Sequence, residues 1–309
     1  MHKQPILSLC IPIYNRITYL ERQMERFLED KDLFDDRIQL IISDNCSTDD
    51  LQSCCDKYKK IGIKLHYNRN ATNLGPDGNF AYCFQHAEGK YVWLLGSDDI
   101  PVKGLLRKLL QYLESGDYGL IHLSIPPIKQ ELTCYTNSND MALAVSFWIT
   151  FMSANIIRTE TLVKINLAEW MNSFMIQVPA YINAYCTCQN NAVIYLSEYF
   201  ECGTDGINNG GYNLFQVFVT NLFGIYNSFV KKGSLSEITY EKLIKKEYCD
   251  FLWYHVIIQL VLRKNDRFPR NGAWKALWKY YGRKPYAYYY PFWGVIKVVL
   301  WKMKLINRI

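Results

Sequence analysis

Apolar residues in the first third of the chain come in short solid blocks separated by stretches with helical spacing. Ile6 to Tyr14, ILSLCIPIY, is almost wholly apolar and rich in β-branched residues, the pattern of a strand covered on both faces, with Pro12 at its exit. Arg16 to Asp30 then places Tyr19, Leu20, Met24, Phe27 and Leu28 on one side of a helix. Arg37 to Ser43 reads as the next strand, the following stretch to Lys60 as a helix, and Ile63 to Tyr67 as a third strand. A polar turn from Asn73 to Asn79 precedes a helix from Phe80 to Ala87 and a buried strand, Val92 to Leu95. This alternation predicts an α/β fold of right-handed βαβ units on a parallel sheet.

Three of these strand exits carry polar loops, Tyr14-Asn15-Arg16, Asp44 to Asp50, and Gly96-Ser97-Asp98-Asp99, the last two of them acid-bearing. In a parallel sheet such exits open along one edge, where ligands bind. Two readings stand for the last. Asp98 and Asp99 are hard oxygen donors that suit a divalent cation already carrying a phosphate. Alternatively, Ser97 or Asp98 caps a helix that starts near Pro101.

Four motifs, LSLCIPIYNR, IISDNCSTDD, NLGPDGNF and YVWLLGSDD, occur in an order and spacing that resembles the large inverting glycosyltransferase family 2, whose nucleotide-binding half has the GT-A fold. The resemblance covers roughly residues 5 to 125 and is to bacterial members that build capsular polysaccharide, O-antigen and wall glycopolymers. It implies that Pro12, Tyr14 and Arg16 border the nucleotide, that Asp44 accepts from the imide N–H of uracil, and that Asn73 and Asn79 line the same pocket. It further implies that Asp98 and Asp99 take the ribose and the Mn²⁺ or Mg²⁺ bridging the diphosphate of a nucleotide-sugar donor, with a UDP-sugar favoured. One position departs from the family: its commonest form has a further Asp where Gly96 stands, which leaves open which remaining Asp is the main metal ligand.

The second half is less patterned. Leu105 to Leu113 reads as a helix, Tyr118 to Ser124 as a strand, and Pro126 to Asp140 as an irregular loop. Phe147 to Arg158 resembles the family's acceptor-side segment; it reads equally as a buried strand with Ser153 and Asn155 satisfied in the core. Inverting transfer requires a general base, and the family usually carries an acid on the next helix. Met175 to Asn183 has none, so the candidates are Glu169 and Asp205, the latter in a glycine-rich loop. The expected layout is a GT-A domain over 1–211, with a nucleotide-binding half 1–125 and an acceptor half 126–211, then a helical region 212–309 in which His255 is a core residue.

Charge changes the picture at the C-terminal end. Residues 263–309 hold twelve Lys and Arg against the single acid Asp266, a balance of +11, while the other 262 residues hold 23 bases and 28 acids, −5. Residues 268–309 interleave nine of those bases with twelve aromatics. Tyr and Trp favour the headgroup level of a bilayer and Lys and Arg favour anionic lipid, so this tail is expected to lie on a membrane surface, its apolar run being too short to span. No nucleic-acid-binding motif accompanies it. The ten scattered cysteines have no zinc spacing or disulfide framework, and the N-terminal segment lacks a signal-peptide layout. The expectation is a cytoplasmic enzyme with free thiols at the inner face of the plasma membrane, acting on a polymeric or undecaprenyl-linked glycan. Two rivals remain. One is a catalytically inactive sugar-nucleotide or glycan-binding subunit; the other is a sugar-nucleotide pyrophosphorylase, whose glycine-rich, Arg-containing N-terminal loop IPIYNR does not supply.

Overall fold

A computed structural model describes residues 4–125, 130–202, 211–264 and 267–302. The chain divides into two compact units, Met1–Asp205 and Gly206–Ile309. The first begins β1 (Leu7–Ile13), α1 (Ile17–Leu28), β2 (Ile38–Asp44), α2 (Leu51–Lys60), β3 (Leu65–Arg69), α3 (Gly75–His86) and β4 (Tyr91–Leu94). It continues β5 (Asp99–Pro101), α4 (Leu105–Ser115), β6 (Leu120–Ser124), β7 (Leu132–Tyr135), α5 (Ser138–Val145), β8 (Asn155–Arg158), α6 (Gln177–Thr187), β9 (Asn191–Tyr195) and β10 (Phe200–Cys202).

Eight strands form one sheet in the order β3-β2-β1-β4-β8-β6-β9-β7, and β5 pairs with β10 apart from it. Every residue of β1 and β4 is buried, which is why their sequences are solid apolar blocks. On one face Leu7, Leu9, Ile11 and Ile13 pack with Leu20, Met24 and Phe27 of α1 and with the apolar side of α4. On the other, Cys10 of β1 meets the Cys83 carbonyl of α3. Pro12 is buried within β1 opposite Ser43, one residue short of the strand's end. The Ile13 carbonyl accepts from Asn45 N–H on the β2 side. The nitrogen of Pro12 therefore faces β4, whose pairing with β1 ends at Cys10, and no ladder bond is lost.

The sheet is mixed rather than parallel throughout. β8 runs antiparallel to both neighbours, β4 and β6, and β7 runs antiparallel to β9. No helix starts near Pro101: Asp99–Pro101 is a strand, and α4 begins only after Gly104, whose φ of 78° is a left-handed conformation that glycine adopts without strain. That removes the helix-cap reading of Ser97 and Asp98. α3 begins at Gly75, with Pro76 in its first turn, so most of the expected polar turn is helix. The expected 126–140 loop contains β7 and the start of α5, whose first N–H groups are capped by Asn137; residues 126–129 lie outside the description.

The second unit is helical: α7 (Leu222–Lys231), α8 (Glu237–Glu247), α9 (Trp253–His255) between two π-helical runs, α10 (Ala273–Tyr281) and α11 (Tyr286–Lys302). His255 is half-buried and hydrogen-bonded to Gln259 at 3.0 Å.

Where β4 enters the sheet, Gly89 N–H donates to Ser8 Oγ at 2.8 Å, and an added Cβ would lie 2.6 Å from the Ser8 nitrogen. Backbone on both sides leaves no room to relax. Gly89→Ala is expected to cost about 2 kcal/mol, read as a lowered urea midpoint at unchanged slope. An unchanged midpoint would show that the two strands can separate there freely.

Candidate functional site

β1, β2 and β4 end at the same edge of the sheet, and antiparallel β8 starts there. The loops at these ends are tied together by hydrogen bonds. Asn15 N–H donates to Ser47 Oγ (2.9 Å) and Asn15 Oδ1 accepts from Thr48 N–H (2.7 Å). Asp49 accepts from Ile17 N–H at 3.0 Å, capping α1 from the neighbouring loop, since Arg16 supplies no cap of its own. Arg16 reaches the other way, its Nη1 lying 2.9 Å from Asp98 Oδ1 and donating to Ser97 Oγ at 3.2 Å. Residues 15–17 therefore link the Asp44 loop to the Asp98 turn, and Tyr14 stands exposed beside them.

Asp44 is wholly buried. Its Oδ1 accepts from Ser47 N–H (2.8 Å) and its Oδ2 from the Tyr67 hydroxyl (2.7 Å), with Arg69 Nε at 3.6 Å. Burial, then the hydrogen bond to Asp44, pushes the Tyr67 phenol up. Asn79 is also buried; its amide donates to the Ser43 carbonyl (2.9 Å) and its Oδ1 accepts from Ser43 Oγ (2.6 Å), so it shores up the end of β2. Asn73 is exposed at the head of α3, accepting from Asn45 Nδ2 and Gly75 N–H, each at 2.9 Å.

The two adjacent aspartates have different surroundings. Asp99 is 9% exposed, and its Oδ2 accepts from Ser153 Oγ at 2.5 Å. The same Ser153 oxygen accepts from Gly96 N–H at 2.8 Å, while Gln23 Nε2 donates to the carbonyls of Gly96 and Asp99, both at 2.8 Å. A Cβ on Gly96 would lie 2.6 Å from Asp99 Oδ2 and 3.1 Å from Ser153 Oγ, so the carboxylate held by Ser153 occupies the space a side chain at 96 would need. Burial pushes the Asp99 carboxyl up to about 6; the Ser153 hydrogen bond opposes this rise and the charge of Asp98 adds to it. Asp98 keeps a 38% exposed side chain and is the open carboxylate of the turn. Among the described residues no three His, Cys, Asp or Glu side chains form a cluster able to hold a metal by themselves.

Ser153 and Asn155 are both buried and hydrogen-bonded. Asn155 Nδ2 donates to the carbonyls of Phe151 (2.7 Å) and Ile149 (3.2 Å), so its Oδ1 is the acceptor facing His122 Nδ1 at 2.8 Å. Burial lowers His122 to about 4, which leaves a neutral ring with its proton on Nδ1. A cavity of about 430 Å³ starts at Ala154, next to Ser153, and is lined by His122, Trp148, Phe151, Glu198, Tyr199 and Phe200 among others.

The head of α6 carries no acid of its own. Gln177 is buried there, and a carboxylate reaches the head of the helix from α3: Asp77 accepts from Phe174 N–H (2.8 Å) and Ile176 N–H (3.2 Å). Burial raises Asp77 in spite of those bonds. Sequence reasoning missed this clasp, although Asp77 lies inside a motif it used. Glu169 sits on an exposed turn, Leu167–Trp170, where it accepts from Asn166, and no contact joins it to the rim. Asp205 lies outside the described residues.

The profile of the family described as glycosyl transferase family 2 matches residues 8–177. The chain is 40% identical over 111 residues to abequosyltransferase RfbV of Salmonella typhimurium, covering 36% of this chain and 33% of that protein. It is 31% identical over 113 residues to the GalNAc(5)-diNAcBac-PP-undecaprenol β-1,3-glucosyltransferase of Campylobacter jejuni, covering 36% of each. The chain thus spans about a third of the length of these relatives. Among solved structures it resembles residues 1–349 of S. aureus TarS in complex with UDP-GlcNAc, with a TM-score of 0.65 at 17% identity over 89% of this chain and 80% of that one. That likeness establishes the GT-A fold.

Two outcomes are expected from the Ser153 lock. Ser153→Ala leaves Gly96 N–H and Asp99 Oδ2 without their partner and should cost about 1–3 kcal/mol in urea unfolding. Asp99 titrates near 3.9 in the unfolded chain and near 6 when folded, so the folded state holds the extra proton between these values. Stability contributed by this group therefore falls as pH rises from about 4 to 6 and is flat above. Asp99→Asn, which keeps the acceptor for Ser153, should remove that slope and gain up to about 3 kcal/mol over the wild type by pH 7. Parallel stability curves for the two proteins across this range would refute the assignment.

Proposed function

This chain belongs to glycosyl transferase family 2, and from that premise we propose that it transfers a sugar from a nucleotide-diphosphate donor, a UDP-sugar by preference, to a glycan acceptor by metal-dependent single displacement with inversion. The observation that carries the proposal is the hydrogen-bonded meeting of the 14–17, 44–49 and 97–99 segments at one sheet edge. In this reading the nucleotide lies along that rim. Tyr14 and Arg16 border it, and Asn73 stands at its base end. Asp44 takes the uracil imide N–H on a lone pair that Ser47 and Tyr67 leave; Asn79 and Pro12 act from beneath by fixing the ends of β2 and β1.

The donor set at the turn fits a divalent cation. Such an ion takes one or two carboxylates and completes its shell with phosphate and water oxygens, which agrees with the partly exposed carboxylate of Asp98. We assign Asp98 as the ligand and Asp99 as its support. When bound, the ion would neutralise charge on the departing diphosphate. Arg16 places a second cationic group beside it. In the transfer, the acceptor oxygen bonds to the anomeric carbon as the bond from that carbon to the β-phosphate oxygen breaks, its electrons leaving on the diphosphate. The acceptor proton passes to a general base. Of the two candidates we favour Asp205, because the sequence around it, rich in glycine and asparagine, has the composition of a segment able to fold over a bound sugar. Glu169 is the alternative. The aromatic-walled cavity beside Ala154 would hold the acceptor sugar, whose apolar face suits such rings.

The name of the Campylobacter relative, which acts on an undecaprenol-linked glycan, supports a lipid-linked or polymeric glycan as acceptor, which would place the protein at the inner face of the plasma membrane. No described helix is long and apolar enough to cross a membrane. The segment Met175 to Asn183, which has no carboxylate where the family resemblance leads one to expect an acid on this helix, favours one second reading, a sugar-nucleotide-binding subunit without catalysis.

A panel of nucleotide sugars, each with and without Mn²⁺, should raise the melting temperature for the cognate donor, most with the metal present. Asp98→Ala should abolish the metal-dependent part of the rise and the turnover. Failure of every nucleotide to shift the wild type would overturn the proposal, and binding without donor hydrolysis or transfer would favour the inactive subunit. Asp205→Asn should lower kcat by about 10²–10⁴ with donor binding intact; the same loss in Glu169→Gln alone would move the base to Glu169.

A further inference from the structure

α10 buries Ala273, Ala276, Leu277 and Tyr281, an ordinary apolar stripe at helical spacing. The opposite side of such a helix should be polar. Here it presents Trp274 at 60% exposure and Trp278 at 71%, alternating with exposed Lys275 and Lys279. α11 continues the pattern with exposed Tyr288, Tyr289, Phe292 and Trp293. Between the two helices lies a groove of about 280 Å³ whose walls include Trp274, Trp278, Tyr288 and Pro291. So many large aromatics in water across two adjacent helices form a patch, which isolated surface residues do not.

Charge identifies the occupant. No Asp or Glu occurs from residue 267 to the end of the chain, whereas Lys275, Lys279 and Arg283, all exposed, are interleaved in sequence with the aromatics. Lys284 is neutralised by Glu241 of α8. A face built of Trp and Tyr with interspersed bases matches the headgroup level of an anionic bilayer, where indole and phenol rings straddle the apolar boundary and ammonium groups meet phosphate. With Lys297 and Lys302 in its sequence and Pro291 inside it, α11 lacks an unbroken run of the ~20 apolar residues a spanning helix needs, so it would lie in the plane of the surface.

We propose that the α10–α11 face docks on anionic phospholipid, with Trp274 and Trp278 inserted at the headgroup level and one lipid acyl chain seated in the groove between the helices. The inference deepens the lipid-linked acceptor reading above by naming the surface that would bring the enzyme to it. It depends on none of the nucleotide-site residues.

The test uses the full chain and vesicles of phosphatidylcholine alone or mixed with phosphatidylglycerol. Binding is expected to the mixed vesicles only, with tryptophan emission shifted to the blue and quenched by lipid brominated in its acyl chain. Replacing Lys275 and Lys279 by Gln should weaken partition by about fivefold for each base lost. The double substitution Trp274→Ser, Trp278→Ser should abolish acyl-chain quenching and binding while the melting temperature stays that of the wild type, because both side chains are exposed. No binding to mixed vesicles, or binding unmoved by either variant pair, overturns the proposal. So does concentration-dependent dimerisation through this face without vesicle binding, which would make a second copy its occupant. The donor-induced melting shift, read on the same preparations, separates the two readings: a donor response without vesicle binding sinks this inference alone, and vesicle binding without a donor response sinks only the transferase.

Discussion

The rim of the first unit depends on one serine hydroxyl. Ser153 comes from the segment that precedes β8, the strand inserted antiparallel between β4 and β6, and it reaches the edge only because β8 runs against its neighbours. From there it accepts from Gly96 N–H and donates to Asp99, and with Gln23 it fixes a four-residue turn at both backbone and side chain. The turn in turn fixes Asp98, whose contact with Arg16 ties it to the loops of β1 and β2. Remove the antiparallel insertion and the two aspartates have nothing to distinguish them.

That dependence explains what the sequence discloses and what it does not. β1, β2 and β4 were legible because strands covered on both faces must be apolar throughout, and the loop-bearing motifs lie at their ends. β7, β9 and β10 are three to five residues long, and β5 is recognisable only by its pairing with a strand a hundred positions later, so periodicity has nothing to act on. The antiparallel direction of β8 is a non-local fact with no local signature. The start of α3 is hidden because Asn-Leu-Gly-Pro-Asp-Gly looks like a turn, although Pro in a first turn is what a helix start tolerates best.

The site divides in the same way. The sequence could name Asp98 and Asp99 together and could register Gly96 as a departure, but which carboxylate is open is decided by Ser153, more than fifty residues away. Gly96 is then no unexplained loss: the held carboxylate of Asp99 fills the volume beside it. Asn79 illustrates the reverse case, a motif residue whose side chain is spent on the Ser43 hydroxyl and carbonyl beneath the rim. In the C-terminal region composition was informative, since bases and aromatics without acids are visible in any reading frame. Which helix face carries them was not, and the exposed indoles of α10 appear only once its buried stripe is known.

Asp77 has a mechanical meaning beyond its hydrogen bonds. By grasping the amides ahead of α6 from the first turn of α3, it rivets the two halves of the first unit across a sheet that is already continuous through β8. A scaffold so joined has no hinge on which one half could swing. Among the described residues, rearrangement to admit a ligand is then left to single side chains at the lip, Tyr14 and Arg16 foremost, and this favours a nucleotide-side crevice shaped before its occupant arrives, with little ordering entropy left to lose there on association.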